Sequence, residues 1–306
     1  MSYDLIIIGA GPAGITSAIY SARQKLKVLI ISKSFGGQMA QKAVEIENYP
    51  GFEKVTGFDL ILKMENQVKD IEILREKVVK VEKKDNFFIV STEEGKKVEA
   101  RVVIVATGAE PRRLNVSGEA GYLGKGVSYC STCDGPLFKG KDIAVIGGGD
   151  AGFETAIFMK KYANKIYILE YGDKVKASLE NQEKADGIEV ITGAELKEIK
   201  GKDFVDKIIF EKDKNKNELD VQGVFIQAGY IPETSFLGDL VDLNEKKEII
   251  LNFENYETKT SGLFAVGDVN CGKVKQIVVA CGQGATAVIY GYKYIWKLNL
   301  SKHGKY

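Results

Sequence analysis

A pair of cysteines lies between two glycine-rich motifs, and this arrangement carries most of the chemical information in the chain. Cys130 and Cys133 form a CxxC motif that Asp134 follows directly. The glycine-rich motifs, GAGPAG at residues 9–14 and GGGDAG at residues 147–152, each follow a short apolar run and open a stretch typical of a helix. In that context a GxGxxG motif binds the pyrophosphate of a dinucleotide. The sequence therefore predicts a redox-capable dithiol beside two dinucleotide sites.

The CxxC motif is compatible with two buried small side chains, with half of a zinc site, or with a reversible disulfide. A zinc site would need Cys271 and Cys281, which are ten residues apart instead of forming a second short-spaced pair, and His303, the single histidine, lies at the C-terminal end. Gly135-Pro136 follows the motif and disfavours the long helix of a thioredoxin-like fold. We therefore expect no metal and a reversible disulfide, with Asp134 either exchanging protons or serving as a turn or cap residue.

The two glycine-rich motifs belong to an internal repeat of a strand–helix–strand unit. The first glycine permits the tight turn, the second lets the backbone approach the pyrophosphate, and the third allows close packing of the helix. The second strand of each unit then ends at Ser32 or at Glu170. The cofactor contacts predicted within the motifs are Gly9, Gly11, Pro12, Ala13, Gly14, Gly147, Gly149, Asp150 and Gly152.

Glu170 indicates which nucleotide the second site prefers. An acidic residue at the end of this strand commonly accepts hydrogen bonds from the adenosine ribose, and it repels the additional phosphate of NADP. We therefore expect NADH in preference to NADPH at the second site. Ser32 is not acidic, so the first site must hold its ribose by other contacts or specify it less tightly.

Composition and charge exclude several classes of function. The chain has 306 residues, of which 44% are hydrophobic and 28% charged, and these values suit a soluble α/β protein of two domains. Its 43 basic and 42 acidic residues nearly cancel, so we expect no nucleic acid and no acidic membrane surface as a partner. No apolar run has membrane-spanning length, and no basic segment precedes the first strand, which predicts a cytoplasmic protein without a signal peptide.

Taken together, the motifs resemble those of the low-molecular-weight thioredoxin reductases, and the resemblance runs along almost the whole chain. It implies an α/β fold of two Rossmann-like three-layer domains, with residues 113–242 inserted between the two parts of an FAD domain, 1–112 and 243–306. It also implies FAD in the first site and a homodimer. Further cofactor residues implied by the resemblance are Gly36, Gly37, Gln38, Asn48, Ala106, Thr107, Gly108, Gly267, Asp268, Lys275, Gln276 and Ile277.

The same resemblance implies a route for electrons and a role for each catalytic residue. A nicotinamide would pass a hydride to FAD, the reduced flavin would reduce the disulfide, and the dithiol would reduce thioredoxin or a similar carrier. Cys133 would face the flavin, Cys130 would attack the partner disulfide, and Asp134 would protonate the leaving thiolate. Because one arrangement cannot serve both flavin and partner, we expect the inserted domain to rotate on connections near residues 112–118 and 242–247.

One departure from the family pattern concerns the electron donor. NADPH-dependent members carry a His-Arg-Arg-x-x-x-Arg cluster where residues 170–176 of this chain read EYGDKVK, and no arginine follows Arg113. Lys174 and Lys176 could contact a phosphate only as point charges, without the bidentate contact of a guanidinium group. NADPH is therefore less favoured than NADH.

Two further resemblances widen the choice of donor and acceptor. The segment from Tyr129 to Glu170 is similar to the reductase portion of alkyl hydroperoxide reductase flavoproteins, which take electrons from NADH. Those proteins carry an N-terminal thioredoxin-like module that is absent here, so we expect a separate protein as acceptor. Related flavoproteins without the basic cluster use ferredoxin as donor or oxidise small dithiols with oxygen. The sequence thus predicts a thioredoxin-disulfide reductase, and these alternatives stay open.

Overall fold

The structure is a computed structural model that describes residues 2–37, 45–46 and 48–302. Two predicted residues, Gln38 and His303, lie outside this part of the chain. The chain forms two compact units, one of residues 1–110 with 231–306 and the other of residues 111–230. It passes between them within β9 (Ala109–Pro111) and β18 (Tyr230–Pro232), two short strands that pair with each other.

The first unit is built on a seven-stranded sheet with helices packed against it. Its strands are β1 (Ser2–Ala10), β2 (Val28–Phe35), β3 (Glu45–Ile46), β4 (Val55–Thr56), β5 (Glu72–Leu74), β6 (Val78–Lys84), β7 (Phe87–Thr92), β8 (Lys97–Val105), β19 (Asp242–Leu243), β20 (Ile249–Ile250) and β21 (Leu263–Ala265). Its helices are α1 (Pro12–Arg23), α2 (Gly57–Asn66) and α6 (Ile277–Lys302), with 3-10 segments at Ser235–Leu240 and Gly267–Val269. The order within the large sheet is β5-β2-β1-β8-β7-β6, and β21 also pairs with β8.

Alternation along β1 explains why this sheet is covered on both faces. Leu5 and Ile7 pack in one cluster with side chains of α1, α2 and α6, whereas Ile6 and Ile8 pack in a second cluster with residues of β6, β7 and the 3-10 segment at 235–240. Successive side chains of a strand point to opposite faces, so a strand with two buried faces must be apolar throughout. The apolar run that precedes the first glycine motif is such a strand.

The second unit repeats this arrangement on a smaller scale. Its strands are β10 (Val127–Ser128), β11 (Ile143–Ile146), β12 (Ile166–Leu169), β13 (Glu189–Ile191), β14 (Glu195–Gly201), β15 (Val205–Lys212), β16 (Asn215–Asp220) and β17 (Gly223–Ile226). Its helices are α3 (Ser131–Asp134), α4 (Asp150–Met159) and α5 (Leu179–Lys184), with a 3-10 helix at Gly135–Phe138. Five strands form a parallel sheet in the order β10-β17-β11-β12-β13, and β14, β15 and β16 form an antiparallel sheet.

The internal repeat predicted from the sequence is present in both units. Strand β1 pairs in parallel with β2, opposing Leu5 to Val28, and β11 pairs in parallel with β12, opposing Ile143 to Ile166. In each unit the intervening segment contains one helix, as a parallel crossover requires. The predicted α/β fold with two nucleotide-binding-type domains is confirmed.

The second boundary between the units differs from the predicted position. The sequence placed it after residue 242, whereas the compact units separate at residue 230. Phe236, Leu237 and Val241 are buried in the same cluster as Ile6 and Ile8 of the first sheet, so the preceding segment packs with the first unit. The first boundary, at residue 110, lies two residues from the predicted one. Across the described ranges, no helix combines the length and hydropathy needed to span a membrane.

Candidate functional site

The first glycine turn, residues 9–14, joins β1 to α1 and separates the tasks of its three glycines. Gly9 has a φ of +108°, and a Cβ added there would lie 2.4 Å from the carbonyl oxygen of Ala106. A Cβ at Gly14 would lie 2.0 Å from the carbonyl oxygen of Gly9. A Cβ at Gly11, by contrast, would meet no atom within 4 Å. Gly9 and Gly14 are therefore needed for the turn itself, while Gly11 faces open space at the start of α1.

Open space at this point suits a pyrophosphate. Gly11 is the residue before α1, Pro12 is the first residue of that helix, and the first turn contains no acidic side chain. Unpaired backbone N–H groups and the helix dipole favour an anion at a helix N-terminus. The residues present therefore fit the diphosphate of FAD.

Three distant segments meet the first glycine turn, as predicted. A Cβ at Gly37 would be 3.5 Å from the Cα of Gly11, and the Gly36 N–H donates to the carbonyl oxygen of Ala10 over 2.8 Å. A Cβ at Gly267 would be 3.2 Å from the Cβ of Ala13. Ala106 lies beneath Gly9, as described above, and Thr107 and Gly108 follow it along the chain. The structure thus brings these predicted FAD residues together.

The residues predicted on the isoalloxazine side divide into two groups. Asn48 donates from Nδ2 to Oε1 of Gln276 over 3.2 Å, directly before α6 begins at Ile277. Asp268 is half-buried between the buried residues Gly267 and Val269. Lys275, however, donates from Nζ to the carbonyl oxygens of Asp268, over 3.1 Å, and of Asn270.

Lys275 and two buried amides hold the segment that carries Asp268. Nζ of Lys275 also forms an ion pair with Glu248 at 3.1 Å. Oε1 of Gln283 accepts from the backbone N–H of Gly267, over 2.7 Å, and from Nδ2 of Asn270, over 2.8 Å. Both amide side chains are buried. The sequence analysis did not identify Gln283 and Asn270, because only the tertiary structure shows that they meet.

Tyr49 and Cys281 form a second pair near the first glycine turn. The Tyr49 hydroxyl lies 3.8 Å from the Cys281 thiol, which is also 3.8 Å from the carbonyl oxygen of Pro12. Burial, and then the neighbouring thiol, raises the pKa of Tyr49 to about 12. Cys281 and Cys271 are both half-buried free thiols. The described residues contain no group of three or more acidic, Cys or His side chains arranged to hold a metal.

The second glycine turn, residues 147–152, repeats the geometry of the first. Gly147 has a φ of +125°, and a Cβ there would lie 2.5 Å from the carbonyl oxygen of Gln227. A Cβ at Gly152 would be 1.8 Å from the carbonyl oxygen of Gly147, whereas one at Gly149 would meet no atom within 4 Å. The backbone at Gly149 (φ −89°, ψ −179°) closely matches that at Gly11 (φ −80°, ψ −176°). This site therefore retains the open space that a dinucleotide needs.

Glu170 lies directly against this second turn. Its Oε2 accepts from the backbone N–H of Gly148 over 2.6 Å, and its Oε1 accepts from that of Gly172 over 2.8 Å. Asp150, the first residue of α4, accepts from the Ser178 N–H and from Nδ2 of Asn181 over 2.8 and 2.9 Å. The predicted residues of the second site are thus assembled, and Glu170 holds a fixed carboxylate at its edge.

Cys130 and Cys133 form a disulfide within the second unit, as the CxxC interpretation predicts. Cys130 precedes the one-turn helix α3, and both sulfur-bearing residues are half-buried. The Ser128 hydroxyl donates to Oδ2 of Asp134, so the predicted proton-exchanging carboxylate is held next to the disulfide. Leu137 follows this segment with 69% of its surface exposed.

Tyr129 and Glu119 support the strand that leads to the disulfide. The buried Tyr129 hydroxyl donates to Oε1 of the buried Glu119 over 2.5 Å, and Glu119 also accepts the N–H groups of Leu114 and Asn115 over 3.0 and 2.6 Å. Burial, followed by the hydrogen bond to Glu119, raises the pKa of Tyr129 above its ordinary value of 10.0. The sequence analysis missed this pair too, since ten residues separate its members.

Comparison with known proteins agrees with this site. The model of the pyridine nucleotide-disulphide oxidoreductase family matches residues 3–284. A flavoprotein component of the alkyl hydroperoxide reductase of Staphylococcus aureus is 38% identical over 302 residues, and these span 96% of this chain but 59% of that protein.

Two solved structures extend the comparison. A thioredoxin reductase from Streptococcus pyogenes is 37% identical, with a TM-score of 0.88, and the match covers 97% of this chain and 99% of that one. A ferredoxin-flavin thioredoxin reductase from Clostridium acetobutylicum is 32% identical, with a TM-score of 0.56, over 98% of this chain and 99% of that one.

The chain belongs to the pyridine nucleotide-disulphide oxidoreductase family. Within it, the chain is a thioredoxin reductase-like flavoprotein oxidoreductase with a redox disulfide at Cys130 and Cys133. The resemblance predicted from the sequence is confirmed. The family implies FAD and a nicotinamide as cofactors.

The different surroundings of Gly11 and Gly14 can be tested by substitution. We expect Gly11→Ala to change the unfolding free energy of the apoprotein by less than about 0.5 kcal/mol, since its Cβ meets no atom, yet to abolish retention of FAD during purification. Gly14→Ala forces a Cβ against the Gly9 carbonyl oxygen and should destabilise the apoprotein by about 3 kcal/mol. Urea unfolding and the flavin-to-protein absorbance ratio check both. Full flavin retention by Gly11→Ala would contradict the assignment.

Proposed function

We propose that this flavoprotein uses NADH to reduce thioredoxin or a similar disulfide carrier, through FAD and the Cys130–Cys133 pair. The observation that carries the proposal is the Glu170 carboxylate, held at the edge of the second glycine turn. The proposal has three parts, which concern the donor, the relay and the carrier. Each part rests on different residues and can fail separately.

The donor part rests on what the Glu170 carboxylate can still accept. A carboxylate has about four lone-pair positions, and the N–H groups of Gly148 and Gly172 use two of them, one on each oxygen. The remaining positions suit the two hydroxyls of an adenosine ribose. A 2′-phosphate at the same place would bring two negative charges together in a partly desolvated site, which is unfavourable. These points favour NADH.

NADPH would have to be recognised by lysines. Lys174 and Lys176 are both exposed, and single contacts between exposed charges contribute about 0–1 kcal/mol. No arginine follows Arg113 to form a bidentate contact. The lysine alternative therefore provides less discrimination than the Glu170 carboxylate provides against it.

The relay part assigns residues to each group in turn. FAD would be held by the first glycine turn and by Gly36, Gly37, Ala106, Thr107, Gly108, Asn48, Asp268, Gln276 and Ile277, with Lys275 holding the Asp268 segment in place. When bound, FAD supplies the two-electron carrier between the donor and the disulfide. Cys133 would be the sulfur that faces the flavin, and Cys130 the sulfur that attacks the carrier. Asp134 would give a proton to the leaving thiolate.

The carrier part rests on the surroundings of the disulfide. Thr132 and Leu137 are exposed on either side of Cys133, which leaves an apolar side chain at the surface beside the reactive pair. An exposed apolar side chain next to a reactive group fits a protein substrate better than a small charged one. A cytoplasmic location belongs to this proposal, because a CxxC motif there is catalytic and not a structural disulfide.

A second candidate donor is a reduced ferredoxin. The loss of the arginine cluster removes the usual phosphate contact, and one relative is named a ferredoxin-flavin thioredoxin reductase. The retained glycine turn and the placed Glu170 favour NADH over this donor. Steady-state reduction of thioredoxin with NADH, NADPH or reduced ferredoxin distinguishes the three. Consumption of oxygen with a small dithiol and without thioredoxin would instead indicate an oxidase.

Glu170→Gln tests the donor assignment. We expect a roughly tenfold higher KM for NADH with an unchanged kcat, since hydrogen bonds to a charged group contribute about 1.5–3 kcal/mol. The KM for NADPH should fall, because the repelling charge is gone. Asp173→Asn removes an exposed neighbouring carboxylate and serves as the matched control, with less than about twofold change expected. Equal increases of both KM values would indicate structural damage and contradict the recognition role.

A homodimer is also part of the proposal, and an apolar stripe on α6 supports it. Val278, Ile289, Tyr292 and Trp296 are 44, 40, 39 and 58% exposed, and their spacing places them on one face of the helix. Light scattering after gel filtration should show a dimer of the wild type and a monomer of an Ile289→Glu/Trp296→Glu variant. Phe204→Glu, a substitution at an equally exposed apolar residue of the second unit, should remain dimeric. A monomeric wild type at micromolar concentration would refute the dimer.

A further inference from the structure

Ser128 is a buried hydroxyl directly beside the disulfide and has three partners there. Only 2% of its surface is exposed, and it ends the short strand β10, where it opposes Phe225 of β17. Its Oγ accepts the N–H of Cys130 over 3.0 Å. The same Oγ donates to Oδ2 of Asp134 and lies 3.3 Å from the carbonyl oxygen of Cys130. One side chain thus contacts both ends of the CxxC segment.

The hydrogen-bonding capacity of a serine hydroxyl suits both protonation states of Asp134. A hydroxyl has one donor hydrogen and two acceptor positions, and it rotates freely. With Asp134 ionised, the hydroxyl donates to the carboxylate, since a charged acceptor forms the stronger hydrogen bond. With Asp134 protonated, the carboxyl group can donate to Ser128, whose hydrogen then turns to the carbonyl oxygen of Cys130. The Cys130 N–H remains bonded in both states, so no buried polar group loses its partner.

We propose that Ser128 is a positioning residue that holds the Asp134 carboxyl group beside the disulfide while Asp134 gains and loses its proton. The inference rests on the thiol–disulfide chemistry of the proposed function, but not on its donor or its carrier. Ser128 itself exchanges no proton with sulfur. It keeps the acid in place and keeps the Cys130 backbone fixed, because the same oxygen binds both.

Reduction of the intact protein's disulfide by dithiothreitol isolates this step. One thiolate of dithiothreitol bonds to the sulfur of Cys130, the Cys130–Cys133 bond breaks, and the Cys133 sulfur leaves and accepts the Asp134 proton. The second thiol of dithiothreitol then displaces Cys130, which yields cyclic oxidised dithiothreitol and the protein dithiol. Acid quenching, alkylation and mass spectrometry measure the rate. Neither a nicotinamide nor a carrier takes part, so failure of the proposed function does not affect the result.

A double-mutant cycle separates positioning from general structural support. We expect Ser128→Ala to slow the reaction about tenfold and Asp134→Asn about 100-fold, within the usual range for general acid–base catalysis. If Ser128 acts through Asp134, the double variant should match Asp134→Asn within about twofold. Independent, multiplied losses in the double variant would overturn the proposal, as would an unchanged rate in Ser128→Ala.

Two further variants control for structure. Ser131→Ala removes another hydroxyl of the same segment, whose partner is the Thr155 hydroxyl at 3.3 Å, and its rate should stay within about twofold of the wild type. Ser128→Thr keeps the hydroxyl, so the rate should recover to within about threefold even where the alanine variant folds poorly. A Ser128→Thr variant that folds but is as slow as Ser128→Ala would also overturn the proposal.

Discussion

The contact between the third glycine of each turn and the first is the constraint on which both sites depend. A Cβ at Gly14 or Gly152 would lie 2.0 or 1.8 Å from the carbonyl oxygen of Gly9 or Gly147, a distance that no side chain permits. The helix can therefore start directly against the end of the strand, with its N-terminus facing the space beside Gly11 or Gly149. Both nucleotide sites arise from this one packing requirement, used twice.

The two units then differ in the residues that surround the same backbone. The strand after α1 ends near Ser32, whose hydroxyl donates to the carbonyl oxygen of Ser34 over 2.7 Å, whereas β12 is followed by Glu170. The first turn of α1 has no acidic residue, while α4 begins at Asp150. A common frame thus provides one site suited to a tightly held flavin nucleotide and another with a carboxylate at its ribose edge. The disulfide lies in the second unit, held by Ser128 and Asp134.

Most of the frame could be predicted from the sequence, because its requirements are local. Glycines at fixed spacing after an apolar strand specify the turn, and the CxxC motif with Asp134 specifies the dithiol. The boundary after residue 230 could not be predicted, since it depends on the burial of Phe236 and Val241 against distant strands. Gln283 likewise gains its role only where α6 meets Gly267.

Anaerobic titration of the purified protein with NADH, and separately with NADPH, tests the central claim most directly. The absorbance of the flavin reports its reduction, and dithionite defines the fully reduced end point. The account predicts rapid, stoichiometric bleaching by NADH and slow or incomplete bleaching by NADPH. Bleaching by NADPH alone would contradict the role assigned to Glu170. No bleaching by either nucleotide, with full reduction by dithionite, would contradict a nicotinamide donor altogether.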